Sequence, residues 1–261
     1  MKTENEAMLA AMKEAAMAGV GAIAAEKKKG ISGSEKSPKE FVTNCDLASE
    51  KAIMDILKRN YPDSSILSEE AGEIKGNGLM WIIDPIDGTH NFMFGLPMYG
   101  ISIAAYQMEQ NKIIAGVIYL PEFDAMYAAL LGGGAFLNDK GISVSKRENL
   151  TDCMVAYDNQ FHKHKAMLIN LGKLAPSCFT VRIFGSAVCD LAHVAEGVLD
   201  ARVFHNTKLV DFAAGSLIVR EAGGKVTNFK GEDVNLKTTD VVASNGKIHE
   251  QLCALLNSDQ K

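Results

Sequence analysis

The sequence predicts a mixed α/β (α+β) fold: two helices over a largely antiparallel sheet, then an alternating α/β half. Three observations carry that reading. Two early stretches place apolar residues at three- and four-residue steps, the period of amphipathic helices. From Leu79 to Leu137 the chain runs through short apolar or alternating segments broken by Gly, Pro and Asn, as hairpin-connected strands do. Beyond about residue 150, strand-like and helix-like segments alternate. The change of character divides the chain into residues 1–149 and 150–261, expected to fold as one compact unit.

The first helix carries Met8, Ala11, Met12, Ala15, Val20 and Ile23 on one stripe. It stops at Lys27-Lys28-Lys29-Gly30, where basic side chains meet the negative end of the helix dipole. Residues 31–40 are polar and turn-rich and read as a mobile loop. A second helix is expected from about Asp46 to Asn60, capped by Thr43 or Asn44 and stopped by Pro62. Its apolar face is Ala48, Ala52, Ile53, Ile56 and Leu57. Strands follow at Leu79–Ile83, Gly100–Gln107, Lys112–Leu120, Ala125–Leu130 and Ala135–Leu137. Gly132-Gly133-Gly134 reads as a hairpin turn, because the Lys-Ser/Thr of a phosphate loop does not follow it. The later half predicts strands at Phe179–Phe184, Ala201–Phe204, Lys225–Phe229 and Asp240–Ala243. Its helices are expected at Asp190–Val198, Phe212–Glu221 and from Ile248 onward.

Composition narrows the function classes. With 261 residues, 47% hydrophobic and 23% charged, the chain matches an ordinary globular protein with a sizeable core. A balance of 27 Lys+Arg against 32 Asp+Glu lacks the basic footprint of a general nucleic-acid binder, so no nucleic-acid partner is expected. Five scattered cysteines without a CxxC spacing read as reduced thiols of a cytoplasmic protein. The first six residues lack a secretory pattern. Gly88 to Gln107 is free of formal charge, but Asn91, Gly95, Pro97, Gly100 and Ser102 interrupt it, and no membrane span is predicted.

The chemistry concentrates in Trp81-Ile82-Ile83-Asp84-Pro85-Ile86-Asp87-Gly88-Thr89-His90-Asn91-Phe92. An apolar strand delivers two carboxylates into a Gly-Thr turn, and the proline between them fixes φ and removes a donor. Oxygen-only ligands suit a hard cation such as Mg²⁺. The amides around Gly88 and Thr89 form a candidate phosphate nest at a helix start. Taken singly, each residue also fits an Asp-rich turn. Further carboxylates come from Asp46, from Glu69-Glu70 after Ile66-Leu67, and from Asp211, which alone reads as a helix cap.

In order and spacing, five strings resemble the inositol monophosphatase family of magnesium-dependent, lithium-sensitive phosphatases. They are Val42-Thr43-Asn44-Cys45-Asp46, Glu69-Glu70, Trp81 through Phe92, Gly185-Ser186-Ala187, and Asp211 through Gly224. The resemblance implies a layered αβαβα sandwich and a homodimer. It implies two to three Mg²⁺ per site, the first on Glu69, Asp84 and the Ile86 carbonyl. A second would lie on Asp84, Asp87 and Asp211, and a third would share Glu69. Asp46 and Thr89 would activate the attacking water. Gly88 and Thr89 would hold phosphate oxygens of a small phosphorylated substrate, with Gly185, Ser186 and Ala187 on the leaving-group side. Glu70, His90 and Phe204 are further candidates, His90 as a border of the phosphate. Residues 31–40 match the family's mobile loop near the metals.

Three departures bear on the substrate. Phe204 stands where the family carries a Glu that contacts inositol hydroxyls, so it would face a larger or flatter leaving group. Val210 replaces a common Trp, and His90 a common Thr. The expected reaction is therefore hydrolysis of inositol monophosphate or a related small phosphate ester. Alternatives are fructose-1,6-bisphosphate, NADP or a 3′-phosphonucleotide on the same site, or a regulatory binding protein that keeps the fold. The net charge of −5 acquires a meaning here, since five carboxylates (Asp46, Glu69, Asp84, Asp87, Asp211) are assigned to one place.

Overall fold

The computed structural model describes residues 2–258. Helix α1 (Lys2–Lys29) leads into a hairpin of β1 (Gly33–Ser37) and β2 (Glu40–Thr43), then α2 (Asn44–Asn60). Where a mobile loop was expected, the chain forms an antiparallel pair, with Gly33 opposite Thr43 and Ser34 opposite Val42. β1 is polar and almost wholly exposed, and β2 is half-buried apart from buried Thr43, so the pair shows no apolar alternation to betray it. Thr43 caps α2: its hydroxyl accepts from the Cys45 and Asp46 amides, and its own N–H donates to Asp46.

The first sheet follows. It contains β3 (Ser65–Ser68), β4 (Gly72–Ile74) and β5 (Leu79–Asp87), then, after the short helix α3 (Thr89–Phe94), β6 (Gly100–Gln107) and β7 (Lys112–Leu120). β8 (Ala125–Leu130), β9 (Gly134–Leu137) and β10 (Lys140–Gly141) complete an eight-stranded order β10-β9-β8-β7-β6-β5-β3-β4. Only β3 and β5 pair in parallel; the rest is antiparallel. The glycine run makes the β8–β9 turn, as expected. Its Gly132 and Gly134 amides donate to the Glu221 carboxylate at 2.8 and 2.9 Å, so the anion held there is the chain's own.

The second sheet has the order β12-β11-β13-β15-β14. It comprises β11 (Met154–Tyr157), then, after α4 (Lys165–Ser177), β12 (Thr180–Arg182); α5 (Ala187–Ala195) precedes β13 (Ala201–Phe204). Helix α6 (Leu209–Glu221), β14 (Lys225–Asn228), β15 (Val241–Ser244) and α7 (His249–Leu256) finish the chain. β11 and α4 were not anticipated. The helix follows a charged His-Lys-His-Lys stretch and buries only Met167, Asn170 and Leu174, with an asparagine inside its stripe.

Strand alternation sends residues to opposite faces and thereby builds the layers. Trp81, Ile83, Ile101, Ile103 and Val117 pack under Met8, Met12, Ala15, Ile53 and Leu57 of α1 and α2. Met80, Ile82, Ala104 and Ile118 face the other way, onto Leu191, Val194, Phe212 and Ile218 of α5 and α6, which also meet Phe204 and Val241. The far face of the second sheet, with Val203 and Val242, packs on α4 and α7 through Met167, Leu174 and Leu252. The result is a five-layer αβαβα sandwich. Among the described residues one helical stretch, Glu4–Lys29, is long and apolar enough to cross a membrane by length and hydropathy. Its apolar stripe is spent on α2 and the first sheet.

Candidate active site

β5 ends in a bulge. Asp84 pairs with Ser102 and Asp87 with Gly100, so Pro85 and Ile86 on one strand oppose Ile101 alone on the other. In a regular strand, positions three apart point to opposite faces. Pro85 cannot donate to the ladder, and the bulge re-aims the strand so that both carboxylates turn to one side. Asp211 joins them from the first turn of α6, which begins at Leu209 rather than at Phe212 as expected. Carboxylate oxygens of Asp84, Asp87 and Asp211 lie within 4.8 Å of one another.

Each of the three has an oxygen tied to protein donors. Asp84 Oδ1 accepts from the Ile86 amide at 3.1 Å. Asp87 Oδ2 accepts from the Ser186 hydroxyl and from the Val188 amide at 3.0 Å. Asp211 Oδ2 accepts from the Thr207 hydroxyl at 2.7 Å and the Lys208 amide at 2.8 Å. Such second contacts orient a ligand oxygen toward a cation. Burial pushes the Asp87 carboxyl up to about 8, with the Asp211 charge adding to it. Burial and the Glu69 charge push Asp211 up to about 6, and burial holds Asp84 well above its ordinary value. Three carboxylates crowded in a dry place repel, and a cation reverses that penalty. The all-oxygen donor set fits a hard divalent ion.

Asp46 and Thr89 also meet. The Thr89 hydroxyl lies 3.3 Å from Asp46 Oδ1 and 3.1 Å from the Ile86 carbonyl. The other Asp46 oxygen accepts from the Thr43 amide at 2.8 Å and from the Thr43 hydroxyl. Burial raises the Asp46 carboxyl, opposed by the Thr43 bonds. Gly88, between Asp87 and α3, has φ +86°, and a Cβ there would meet the Met98 carbonyl at 2.8 Å. Only glycine takes that turn without strain.

Asp84, Asp87, Gly88, Thr89 and Asp211 line one cavity of about 630 Å³, with Glu69, Ile86, His90, Gly185, Ser186, Ala187 and Phe204 also on its wall; Asp46 is buried behind it and reaches it through Thr89. Glu69 stands apart from the aspartate trio. Its Oε1 lies 3.2 Å from the Lys208 ammonium and 3.6 Å from that of Lys36, while Glu70 pairs with Lys36 at 2.5 Å. His90 is exposed, its ring edge-on to Phe41. Phe204 touches the cavity, but its side chain is 1% exposed and packs among α5 and α6.

Several residues escaped the sequence reading. Glu50, buried on α2, accepts from the Ser68 hydroxyl and from the Glu70 and Ala71 amides at 3.1 and 3.0 Å, pinning the turn that carries Glu69. Ser49 donates to the Pro85 carbonyl at 2.9 Å. Asp46, Ser49, Glu50 and Ile53 are spaced as one helical face, so polar residues in phase with an apolar stripe were the available signal. Lys36, Thr207 and Lys208 had none.

Comparison with known proteins agrees with this architecture. A model of the inositol monophosphatase family matches residues 4–261. The inositol-1-monophosphatase of Mesorhizobium japonicum is 38% identical over 223 residues, 83% of each chain. The Nus factor SuhB of Escherichia coli strain K12 is 35% identical over 239 residues, 90% of this chain and 89% of that one. A crystal structure of extragenic suppressor protein suhB from Bartonella henselae superposes with a TM-score of 0.92 at 36% identity. The match covers 97% of this chain and 99% of that chain. With the family match extending over nearly the whole sequence, this chain belongs to the inositol monophosphatase family.

Proposed function

We propose that the protein is a Mg²⁺-dependent phosphomonoesterase acting on inositol monophosphate or a related small phosphate ester. The convergence of Asp84, Asp87 and Asp211 from β5 and α6 carries this reading. Membership of a family that is generally metal-dependent supports phosphatase activity. Glu69, Asp84, Asp87, Asp211 and the Ile86 carbonyl would hold the ions. When bound, the ions would supply charge stabilisation for the attacking and leaving oxygens and lower the pKa of water.

The chain's own groups then have distinct tasks. Asp46 receives a proton relayed from water through the Thr89 hydroxyl, a path supported by the 3.3 Å contact between them. Thr43 keeps the other Asp46 oxygen occupied, which leaves one oxygen for Thr89. The amides at the start of α3 receive phosphate oxygens, and the glycine at 88 lets the backbone approach closely. Ser186 holds Asp87 in place while its neighbours Gly185 and Ala187 border the leaving group.

The relatives' names point in two directions, one to an inositol-1-monophosphatase and one to a Nus factor. The assembled trio and the Asp46–Thr89 contact favour the enzymatic reading over a binding protein that has lost turnover. The test is phosphate release from myo-inositol 1-phosphate, fructose-1,6-bisphosphate, NADP and a 3′-phosphonucleotide, with Mg²⁺ and with EDTA. Release that requires Mg²⁺ and is inhibited by lithium is expected; release from none overturns the proposal.

A further inference from the structure

Helix α3 is tied to both sides of the cavity by a residue that does not line it. Asn91 is 8% exposed and spends both protons of its side-chain amide on main-chain carbonyls. Its Nδ2 donates to Met98 and to Phe184, each at 2.7 Å. The Met98 carbonyl is the atom that a Cβ at residue 88 would strike, so it lies against the turn into α3. Phe184 directly precedes Gly185 and Ser186, which stand on the cavity wall.

From Phe184 the contacts lead back to where they began. The Ser186 hydroxyl and the Val188 amide both donate to Asp87 Oδ2. Asp87 is joined through Gly88, Thr89 and His90 to Asn91. Asn91 therefore closes a ring of covalent and hydrogen bonds. That ring contains a carboxylate of the trio, the amides at the start of α3 and the turn at 184–187.

The two sides of the ring are not equally secured. α3 has anchors of its own, since the Thr89 hydroxyl meets Asp46 and the Ile86 carbonyl and the Phe92 ring is buried under α1 and α2. The turn at 184–187 instead leaves β12, an edge strand that pairs with β11 over three residues. Among the described residues, its hydrogen bonds to the first half of the chain run to Asn91 and Asp87 alone.

In-line displacement needs the attacked phosphorus and the leaving oxygen in register, and a misplacement of about 1 Å can cost about a hundredfold in rate. We propose that Asn91 is a positioning residue for the reaction. By gripping the Phe184 carbonyl it sets the gap between the phosphate seat at the start of α3 and the turn that borders the leaving group. The proposal rests on the phosphatase reading above and deepens it, by naming the residue that aligns the two parts of the substrate.

The test compares the wild-type protein with Asn91→Ala, which removes both donors, and Asn91→Asp, which keeps the shape but turns an oxygen toward a carbonyl. With Mg²⁺ and the ester of the screen above that is turned over fastest, kcat should fall about 10- to 100-fold in both variants. Inorganic phosphate fills the seat without a leaving group, so its inhibition constant should stay within about threefold of wild type. Ser186→Ala opens the same ring. Combined with Asn91→Ala, it should therefore cost much less than the product of the two single losses. Unchanged kcat, phosphate binding weakened as much as turnover, or losses that multiply each overturn the proposal and leave the phosphatase reading intact. Phosphate release by the wild-type protein from no ester overturns both. If Asn91→Ala does not fold, Asn91→Asp carries the kcat and phosphate comparisons. If neither folds, Asn91 serves folding and the proposal falls.

Discussion

At the β5 end of the cavity, Asp84, Asp87 and Asp211 crowd together with their hydrogen bonds partly met and, among the described residues, no basic side chain in an ion pair with them. At the β13 end, Arg202 stands between Asp190 and Asp158, with opposite charges present but hydrogen bonds missing. The first cluster lacks charge balance; the second lacks donor–acceptor balance. Incomplete charge balance calls for cations, whereas the unmet N–H groups of Arg202 are sealed from solvent and are offset only by the nearby carboxylate charge. The two ends of one cavity thus differ, and removing charge should have opposite consequences at them.

The largest effect is expected for Asp84→Asn. Phosphate release should fall at least about a thousandfold, about 4 kcal/mol of barrier, because a carboxylate charge is lost from the proposed ion site. Metal-free stability should hold or rise, since one of three mutually repelling carboxylates is gone. Near-normal turnover, or a lower melting temperature without metal, would break the comparison. Asp190→Asn should do the reverse for stability. Removing the nearest countercharge of a buried guanidinium costs about 3–5 kcal/mol, read by urea denaturation. An unchanged midpoint would mean that Asp190 does not compensate Arg202.

Glu50→Gln should cost about 1–3 kcal/mol, because Glu50 accepts from three donors that anchor the turn before β4. Turnover should drop as well, since that turn carries Glu69; loss of stability with full turnover would remove Glu50 from the site's support. The smallest effect is a pH slope. The folded-state carboxyls of Asp87 and Asp211 lie at about 8 and about 6, above their ordinary 3.8. The folded state therefore holds more protons than the unfolded one between 3.8 and those values, and stability is lost as pH rises through them. The melting temperature in EDTA should fall between about pH 5 and about pH 8, and Mg²⁺ should flatten the fall. Identical slopes with and without Mg²⁺ would detach the cation from this cluster.

Legibility differed between elements for physical reasons. α2 and strands β6, β7 and β8 were readable because a single face of each is buried, or because long apolar runs end in turn residues. The β1–β2 hairpin was not, since β1 is polar and exposed and β2 is uniformly half-buried except at Thr43, which leaves no apolar alternation. β11 is four residues of Met-Val-Ala-Tyr, too short to separate from a buried loop by periodicity, yet it is an inner strand of the second sheet. Asp84 and Asp87 stood out because carboxylates at the end of an apolar strand are costly to bury without a purpose. Arg202 did not, because nothing local reveals that residues 158 and 190 lie against it.

By itself, the sequence determined a mixed α/β fold through its succession of apolar periods, its family resemblance implied the αβαβα layering, and it named the acidic strings around one cavity. It did so because burial patterns and carboxylates near turns are local properties. Tertiary structure alone decided which donors hold each aspartate oxygen, that Glu50 braces the Glu69 turn, and that Glu69 itself leans on Lys36 and Lys208. It also decided that Arg202 is buried between Asp190 and Asp158 at the cavity wall. These are contacts between segments far apart in the chain, and their strength depends on distance and burial, which no stretch of sequence contains.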